Sequence, residues 1–272
     1  MAGGTNGDGF TEILVGAPLY DAGQTNEGRV FLFIGGHNGP GPVANWTAES
    51  DQAEAQLGYS VAPAGDVNGD GYADIIVGAP FYEKIPLNEG GAFVWFGGVP
   101  DILNTTGLGP YGTPINTDWS FTSGVAGAAL GFSVAGGGDV NRDGYSDVIL
   151  GAPTFANGEG GEGAAWVFLG STAGPAGQAW FAEGNQIGAH FGRAVAAAGD
   201  VNRDGHSDVL IGAPLWDGAS GLDEGQAFLY LGKGGGVDST VAWTATSAQA
   251  GAQLGHSVAS AGDVNRDNFS DV

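Results

Sequence analysis

Three landmarks recur in this chain at constant separation. Trp46, Trp119, Trp180 and Trp243 each stand eleven residues before Leu57, Leu130, Phe191 and Leu254, which in turn stand nine before Asp66, Asp139, Asp200 and Asp263. Pro80, Pro153 and Pro214 follow the first three of those aspartates by fourteen residues. Only the interval from each Pro to the next Trp varies, at 28, 39, 27 and 29 residues counting from Pro18. A period of this length means copies of one supersecondary unit, none of which can bury its apolar face alone.

Each unit holds four strand-like runs. In the second they are 57–62, 73–78, 92–97 and 118–122, rich in β-branched and aromatic residues and bounded by Gly, Pro, Asn or Asp. No stretch shows apolar residues at i, i+3, i+4 over a helical length. The 54 glycines among 272 residues fall at fixed places between the apolar runs, which marks ordered turns. Four short strands per unit of roughly 60 residues predict one blade of an all-β propeller; a β-sandwich with similar hairpins is the plainer alternative. The units run approximately 1–56, 57–129, 130–190 and 191–253 within a single domain.

Between the first and second run of each unit lies an acidic loop. Oxygen-bearing side chains occupy positions 1, 3, 5 and 9: Asp66, Asn68, Asp70 and Asp74; Asp139, Asn141, Asp143 and Asp147; Asp200, Asn202, Asp204 and Asp208; Asp263, Asn265, Asp267 and Asp271. Gly fills position 6 in three copies and Asn268 in the fourth, and Asn tolerates a left-handed backbone. Hard Ca²⁺ takes six to eight oxygens, and a tight turn lets alternate side chains converge on it, with the carbonyls at position 7 (Tyr72, Tyr145, His206, Phe269) as the expected fifth protein ligand. Without a cation the carboxylates would repel and raise one another's pKa. A merely polar Asx-turn is the alternative. An EF-hand is excluded, because its position 12 is acidic and here that position is Val77, Leu150 or Ile211. A partial fifth copy opens the chain, with Gly4 at position 1 and Asn6, Asp8 and Glu12 as its remaining ligands.

Phe-Gly or Leu-Gly, then Ser-Val-Ala, then Gly-Asp-Val-Asn-x-Asp-Gly, then Val-Gly-Ala-Pro resembles the FG-GAP repeat of integrin α-subunit head propellers across essentially the whole chain. The resemblance implies a propeller, usually seven-bladed, with Ca²⁺ in the loop between the innermost strand and the second, bound through loop positions 1, 3, 5, 7 and 9. It also implies partner binding on the face opposite those loops. That face carries 19–28, 81–91, 154–163 and 215–225, whose aromatic residues Tyr20, Phe81, Tyr82, Phe155 and Trp216 serve either as contacts or as cover for blade edges.

The two ends complement each other. The first unit lacks an innermost strand and residues 254–260 lack a second, so strand exchange predicts four blades, with 254–272 completing the first and loops 4–12 and 263–271 competing for one place. Closure within one chain gives four blades; a homodimer would close an eight-bladed ring. The insertion 99–117 is the strongly unit-specific segment and a candidate for specialised binding. Glu27, Glu89, Glu162 and Glu224, each before a Gly, read as turn-stabilising acceptors, and the recurring Trp as packing between blades.

Thirty acidic and seven basic side chains give a net charge of −23, which repels nucleic acid and anionic lipid and attracts cations. No apolar run approaches the roughly 20 residues that cross a bilayer, so no membrane insertion is expected. No signal core follows Met1, and the lack of Cys leaves the redox compartment open. The four histidines fall at four different points of the unit, and the paired carboxylates belong to the loops, so no catalytic constellation stands out. The reading is a calcium-binding adhesion or protein-interaction scaffold, with a glycan-binding propeller lectin as the alternative and a non-catalytic module of a secreted enzyme behind it. Extracellular modules often bind Ca²⁺ at only ~10⁻⁴ to 10⁻³ M, so such loops predict a secreted or cell-surface location.

Overall fold

The computed structural model describes residues 4–84, 88–98 and 111–272. Residues 1–3 and 85–87 lie outside it, as does the 99–110 part of the insertion singled out above. The described chain is all β. The first sheet has three strands, β1 (Ile13–Ala17), β2 (Arg29–Phe33) and β3 (Trp46–Glu49). Three four-stranded sheets follow. The second contains β4 (Ser60–Gly65), β5 (Asp74–Ala79), β6 (Gly91–Trp95) and β7 (Trp119–Thr122). The third contains β8 (Ser133–Gly138), β9 (Asp147–Ala152), β10 (Ala164–Leu169) and β11 (Ala176–Glu183), and the fourth β12 (Ala194–Gly199), β13 (Asp208–Ala213), β14 (Gln226–Lys233) and β15 (Gly236–Thr246). Within each sheet the strands pair antiparallel in chain order, the topology of propeller blades.

The core lies between sheets. One cluster joins Leu32 and Trp46 of the first unit to Ile75, Val77 and Trp95 of the second. Another joins Ile76 and Val94 to Leu150, Trp166 and Phe168, and a third joins Ile149 and Val167 to Ile211 and Tyr230. The period-marking Trp is the pin of each junction. Trp46 meets Trp95 at 5.6 Å, Trp119 meets Phe168 at 5.0 Å and Trp180 meets Tyr230 at 4.7 Å, each on the third strand of the following sheet. Such edge-to-face pairs contribute about 0.5–1.5 kcal/mol beyond burial. Among the described residues Trp243 has no following sheet beside it, and it is 46% exposed.

Backbones also approach closely at these junctions. A Cβ on Gly78 would collide with the carbonyl of Gly131 in the next unit, which explains the Gly of Gly-Ala-Pro by the space available. The inner ladders carry a bulge at Pro63/Gly65, Gly136/Gly138 and Ala197/Gly199, where Gly65, Gly138 and Gly199 have φ of +81, +70 and +74°. A bulge turns the strand end aside and aims the acidic loop that follows.

The strand boundaries in the second unit shift little from those expected, except that its innermost strand begins at Ser60 and not at residue 57. Residues 57–59 instead bind the preceding sheet. Leu57 bridges Gly28 in parallel, as Leu130, Phe191 and Leu254 bridge Gly90, Gly163 and Gly225.

That bridge decides the ends of the chain. Leu254 is held at Gly225, and a Cβ on Gly212 would strike the Gly255 carbonyl, so residues 254–260 lie along the flank of the fourth sheet. Among the described residues no ladder joins them to β1, whose partner is β2. Exchange of 254–272 into the first sheet is therefore not the arrangement found. Nor do loops 4–12 and 263–271 share one place. The Gly4 carbonyl accepts from Ala73 N at 3.2 Å beside the second unit's loop, whereas Ser270 N donates to the Asp200 carbonyl at 3.0 Å beside the fourth unit's loop.

Candidate metal centre

Each acidic loop folds around its first aspartate. Asp66 Oδ1 accepts from the backbone N–H groups of Gly69 and Asp70 at 2.7 and 3.0 Å, and Oδ2 from Gly71 at 2.9 Å. Asn68 Oδ1 accepts from Asp70 N and Asp70 Oδ1 from Tyr72 N, at 3.0 and 2.9 Å. The Asn68 amide also donates to Asp70 Oδ2 at 3.0 Å. These successive Asx turns are what short polar side chains do when each reaches two residues onward.

The pattern repeats. Asp139 accepts from Asp143 and Gly144, Asp200 from Asp204 and Gly205, and Asp263 from Asp267 and Asn268, at 2.8–3.0 Å. Asn141, Asn202 and Asn265 donate to Asp143, Asp204 and Asp267 at 2.8–2.9 Å. The backbones of Tyr145, His206 and Phe269 donate to those same aspartates at 2.9–3.0 Å. Asn268 has φ +69°, the left-handed turn that Gly71, Gly144 and Gly205 make elsewhere. Asn6 and Asp8 form the same turn, with Asp8 N to Asn6 Oδ1 at 3.0 Å and no side chain at Gly4 to close it.

The ninth position behaves differently from the others. Asp74, Asp147 and Asp208 are fully buried, and each carboxylate bridges two backbone N–H groups: Val67 and Gly97, Val140 and Gly170, Val201 and Gly232, at 2.7–2.8 Å. Burial, reinforced by the charges at positions 5 and 1 of the same loop, pushes Asp74 and Asp147 up to about 7 and raises Asp208. Glu12, also fully buried, takes Thr5 N at 2.7 Å; burial raises its pKa, and its Oε1 has no partner. Asp271 takes Val264 N at 2.9 Å.

The charges of one loop therefore reach one another without full convergence. Among the described residues, the carboxylates at positions 1, 5 and 9 do not gather within 4.8 Å. The donor set nonetheless fits a hard cation. It is all oxygen, it alternates along one turn, and a carboxylate oxygen holding one N–H keeps capacity for a second partner.

The loops also stand in a row. Ser146 N donates to the Asp66 carbonyl at 2.9 Å, Ser207 N to that of Asp139 at 2.9 Å, and Ser270 N to that of Asp200 at 3.0 Å. Position 7 contributes through its side chain as well as its backbone. The rings of Tyr72 and Tyr145 cover Gly7 and Gly69 in the preceding loop, and His206 Nδ1 lies 3.1 Å from the Val140 carbonyl. The aromatic character of position 7 was the sequence signal for this packing. The third-to-fourth strand connections share this face, since Gly98 N and Ser171 N donate to the Thr5 and Val67 carbonyls at 2.9 and 3.0 Å.

Four repeats match the FG-GAP repeat, over residues 5–33, 57–92, 130–168 and 191–230, just over half of the chain. The chain belongs to the FG-GAP repeat family. This FG-GAP chain is 36% identical over 154 residues to "Integrin alpha-IIb" of Mus musculus, a match covering 54% of this chain and 14% of that protein. It is 32% identical over 236 residues to "Integrin alpha pat-2" of Caenorhabditis elegans, covering 78% and 17%. It is 28% identical over 289 residues to "Integrin alpha-V" of Gallus gallus, covering 98% and 25%. The FG-GAP chain thus spans a tenth to a quarter of the length of the curated relatives it matches.

On the face opposite the loops, the turn aromatics are cover. Tyr20, Tyr82, Phe155 and Trp216 sit edge-on against Phe31 of β2, Phe93 of β6, Trp166 of β10 and Phe228 of β14, at 5.1–5.7 Å. The four turn glutamates are buried acceptors. Glu27 takes Ala22 N at 2.7 Å, Glu89 takes Lys84 N at 3.0 Å, Glu162 takes Asn157 N at 2.8 Å and Glu224 takes Ser220 N at 2.9 Å.

Proposed function

We propose that this chain is part of an extracellular adhesion or protein-interaction propeller whose repeats are braced by Ca²⁺ in the acidic loops. The observation that carries the reading is the row of like-built loops along one face, each presenting oxygens from positions 1, 3, 5 and 9 around one turn. Bound Ca²⁺ supplies the positive charge that these acidic loops lack. Asp66, Asp139, Asp200 and Asp263 shape each turn, with Asn68, Asn141, Asn202 and Asn265 and then Asp70, Asp143, Asp204 and Asp267 as the next ligands. Asp74, Asp147 and Asp208 tie their loops to their own sheets, and Asp271 holds the start of its own loop through Val264 N. In the opening copy, Asn6, Asp8 and Glu12 are the ligands, and the buried Glu12 Oε1 without a partner is suited to meet a cation.

The face opposite the loops is the surface for a protein partner, in keeping with the relatives' names as integrin α subunits. Among the described residues no helix is long and apolar enough to cross a membrane. The recurring Trp46 and Trp180 are buried at sheet junctions and offer no platform for a sugar ring, which favours the protein-binding reading over the lectin.

Thermal unfolding in millimolar Ca²⁺ against excess chelator tests the metal half of the proposal. A binding-linked rise in Tm is expected. An unchanged Tm would reduce the loops to polar turns and leave the fold standing.

A further inference from the structure

A second kind of acidic cluster stands on the face away from the loops, in the first unit alone. One carboxylate oxygen each of Glu27, Glu49 and Asp51 lie within 4.8 Å of one another. Glu27 is completely buried, its Oε1 occupied by Ala22 N and Gln24 N, while its Oε2 is buried with no hydrogen-bond partner. A buried carboxylate oxygen left unpaired costs free energy unless something positive meets it. We propose that Glu27, Glu49 and Asp51 form a divalent-cation site, distinct from the acidic loops, at the outer edge of the first sheet.

The surroundings suit a cation. Glu49 ends β3 and Asp51 follows it, while Glu27 sits two residues before Arg29, the register partner of Glu49. Ser50 Oγ donates to the Glu27 carbonyl at 2.8 Å and fixes this turn against β2. Asp51 has φ +55°, which aims its side chain out of the strand direction. One positive group is already present, because Arg29 Nη2 lies 3.0 Å from Glu49 Oε1. Three carboxylates against one guanidinium leave a local charge of −2, the complement of a single divalent ion. Three carboxylate oxygens within 4.8 Å of one another are donors of the kind that hard cations select.

Glu49, Asp51 and Arg29 line an open cavity of about 360 Å³ together with Tyr111 and Gly112. Gly112 extends the first sheet's outer edge, donating to the Thr47 carbonyl at 2.8 Å and accepting from Glu49 N at 3.0 Å. Tyr111 and Gly112 come from the second unit's long insertion, so a cation here would tie that insertion to the neighbouring sheet. No other unit repeats the trio. The positions equivalent to Glu49 and Asp51 are Thr122 and Gly124, Glu183 and Asn185, and Thr246 and Ala248. In the second unit Gly124 N donates to Glu89 Oε2 at 2.8 Å, whereas in the third Glu162 Oε2 is buried without a hydrogen-bond partner and Asn185 stands in place of the third acid.

The test is equilibrium dialysis against ⁴⁵Ca²⁺, repeated with Mn²⁺, on the wild-type chain and on the Glu49→Gln/Asp51→Asn double variant. Asn at position 51 keeps the left-handed backbone accessible, and Asp51 is exposed while Glu49 is only half-buried. The expected result is loss of one bound equivalent, with the Ca²⁺-dependent rise in Tm that reports on the loops retained. A second variant, Arg29→Met, removes the competing charge and is expected to tighten that one site several-fold. Unchanged stoichiometry in the double variant, or no tightening in Arg29→Met, overturns the proposal. A wild type that binds a single equivalent, lost in the double variant, would sustain this site and sink the loop reading instead.

Discussion

β1 and β5 are nearly the same strand in sequence, Ile13-Leu-Val-Gly-Ala17 against Ile75-Ile-Val-Gly-Ala79, yet they sit in opposite environments. Every residue from Asp74 to Ala79 is buried. In β1, Ile13 and Val15 are 42% and 43% exposed. The cause is positional. β5 runs between β4 and β6 with a sheet on either side, whereas β1 has β2 on one edge and no inner strand on the other. Burial in a repeat fold is conferred by the neighbours, and identical residues are worth different amounts in different units.

Mutations at matched positions should separate the two environments. The largest contrast is expected at the junction tryptophans. Trp46→Ala should cost about 3–5 kcal/mol in urea denaturation, since it empties a filled junction, whereas Trp243→Ala at the uncovered flank should cost under about 1 kcal/mol. Equal losses would mean that the flank is covered in solution. Next, Ile75→Ala should cost about 2–5 kcal/mol and Ile13→Ala under about 1 kcal/mol by the same measurement. If Ile13→Ala proves as costly, β1 has a strand partner that this arrangement does not show.

The third contrast is with pH. The folded-state pKa values of Asp74 and Asp147 are raised to about 7 from an ordinary 3.8, so the folded chain holds their protons more tightly than the unfolded one. Their stabilising contribution is full below about pH 4 and is lost as pH rises through about 7. In chelator, Tm should therefore fall between pH 5 and pH 8, and Asp74→Asn should flatten part of that slope. Ca²⁺, which favours the ionised loop, should oppose the fall. A Tm that climbs over this range in chelator would show that these carboxylates are ionised and paired in the folded chain.

The smallest effect separates loop copies. Asp143→Ala should lower Tm by about 2–4 °C in Ca²⁺, the equivalent of roughly 1 kcal/mol in a chain of this size, with little change in chelator. Asp8→Ala, in a loop with no position-1 side chain, should lower it less. A loss from Asp143→Ala that is equal with and without Ca²⁺ would make Asp143 a turn former and nothing more.

Much of this was legible because it is local and repeated. The spacing of Trp, Leu or Phe, Asp and Pro located every sheet, and alternate oxygens located every loop. The glycine before Asp66, Asp139 and Asp200 marked a bulge whose φ only Gly adopts freely. What escaped the sequence depends on who lies beside whom. The path of residues 254–260 is set by the parallel bridge to Gly225, a contact that no pattern within the segment records. The Glu27, Glu49 and Asp51 trio comes from two strand ends 22 residues apart and was visible only as a turn glutamate. Its signal was a departure from the repeat: two acids stand where the second unit has Thr122 and Gly124.

The row of loops has a mechanical meaning. Ser146, Ser207 and Ser270 each grip the carbonyl at the head of the loop before, and Ala73 grips that of Gly4, so every loop on this face is fastened to the one before it. A pull on the two ends of the row loads the joints in series, and at each joint the loop hydrogen bonds share the force with the apolar junction below them. Beneath that seam lie the buried junctions, so parting two blades also uncovers the apolar faces that neither sheet can cover alone.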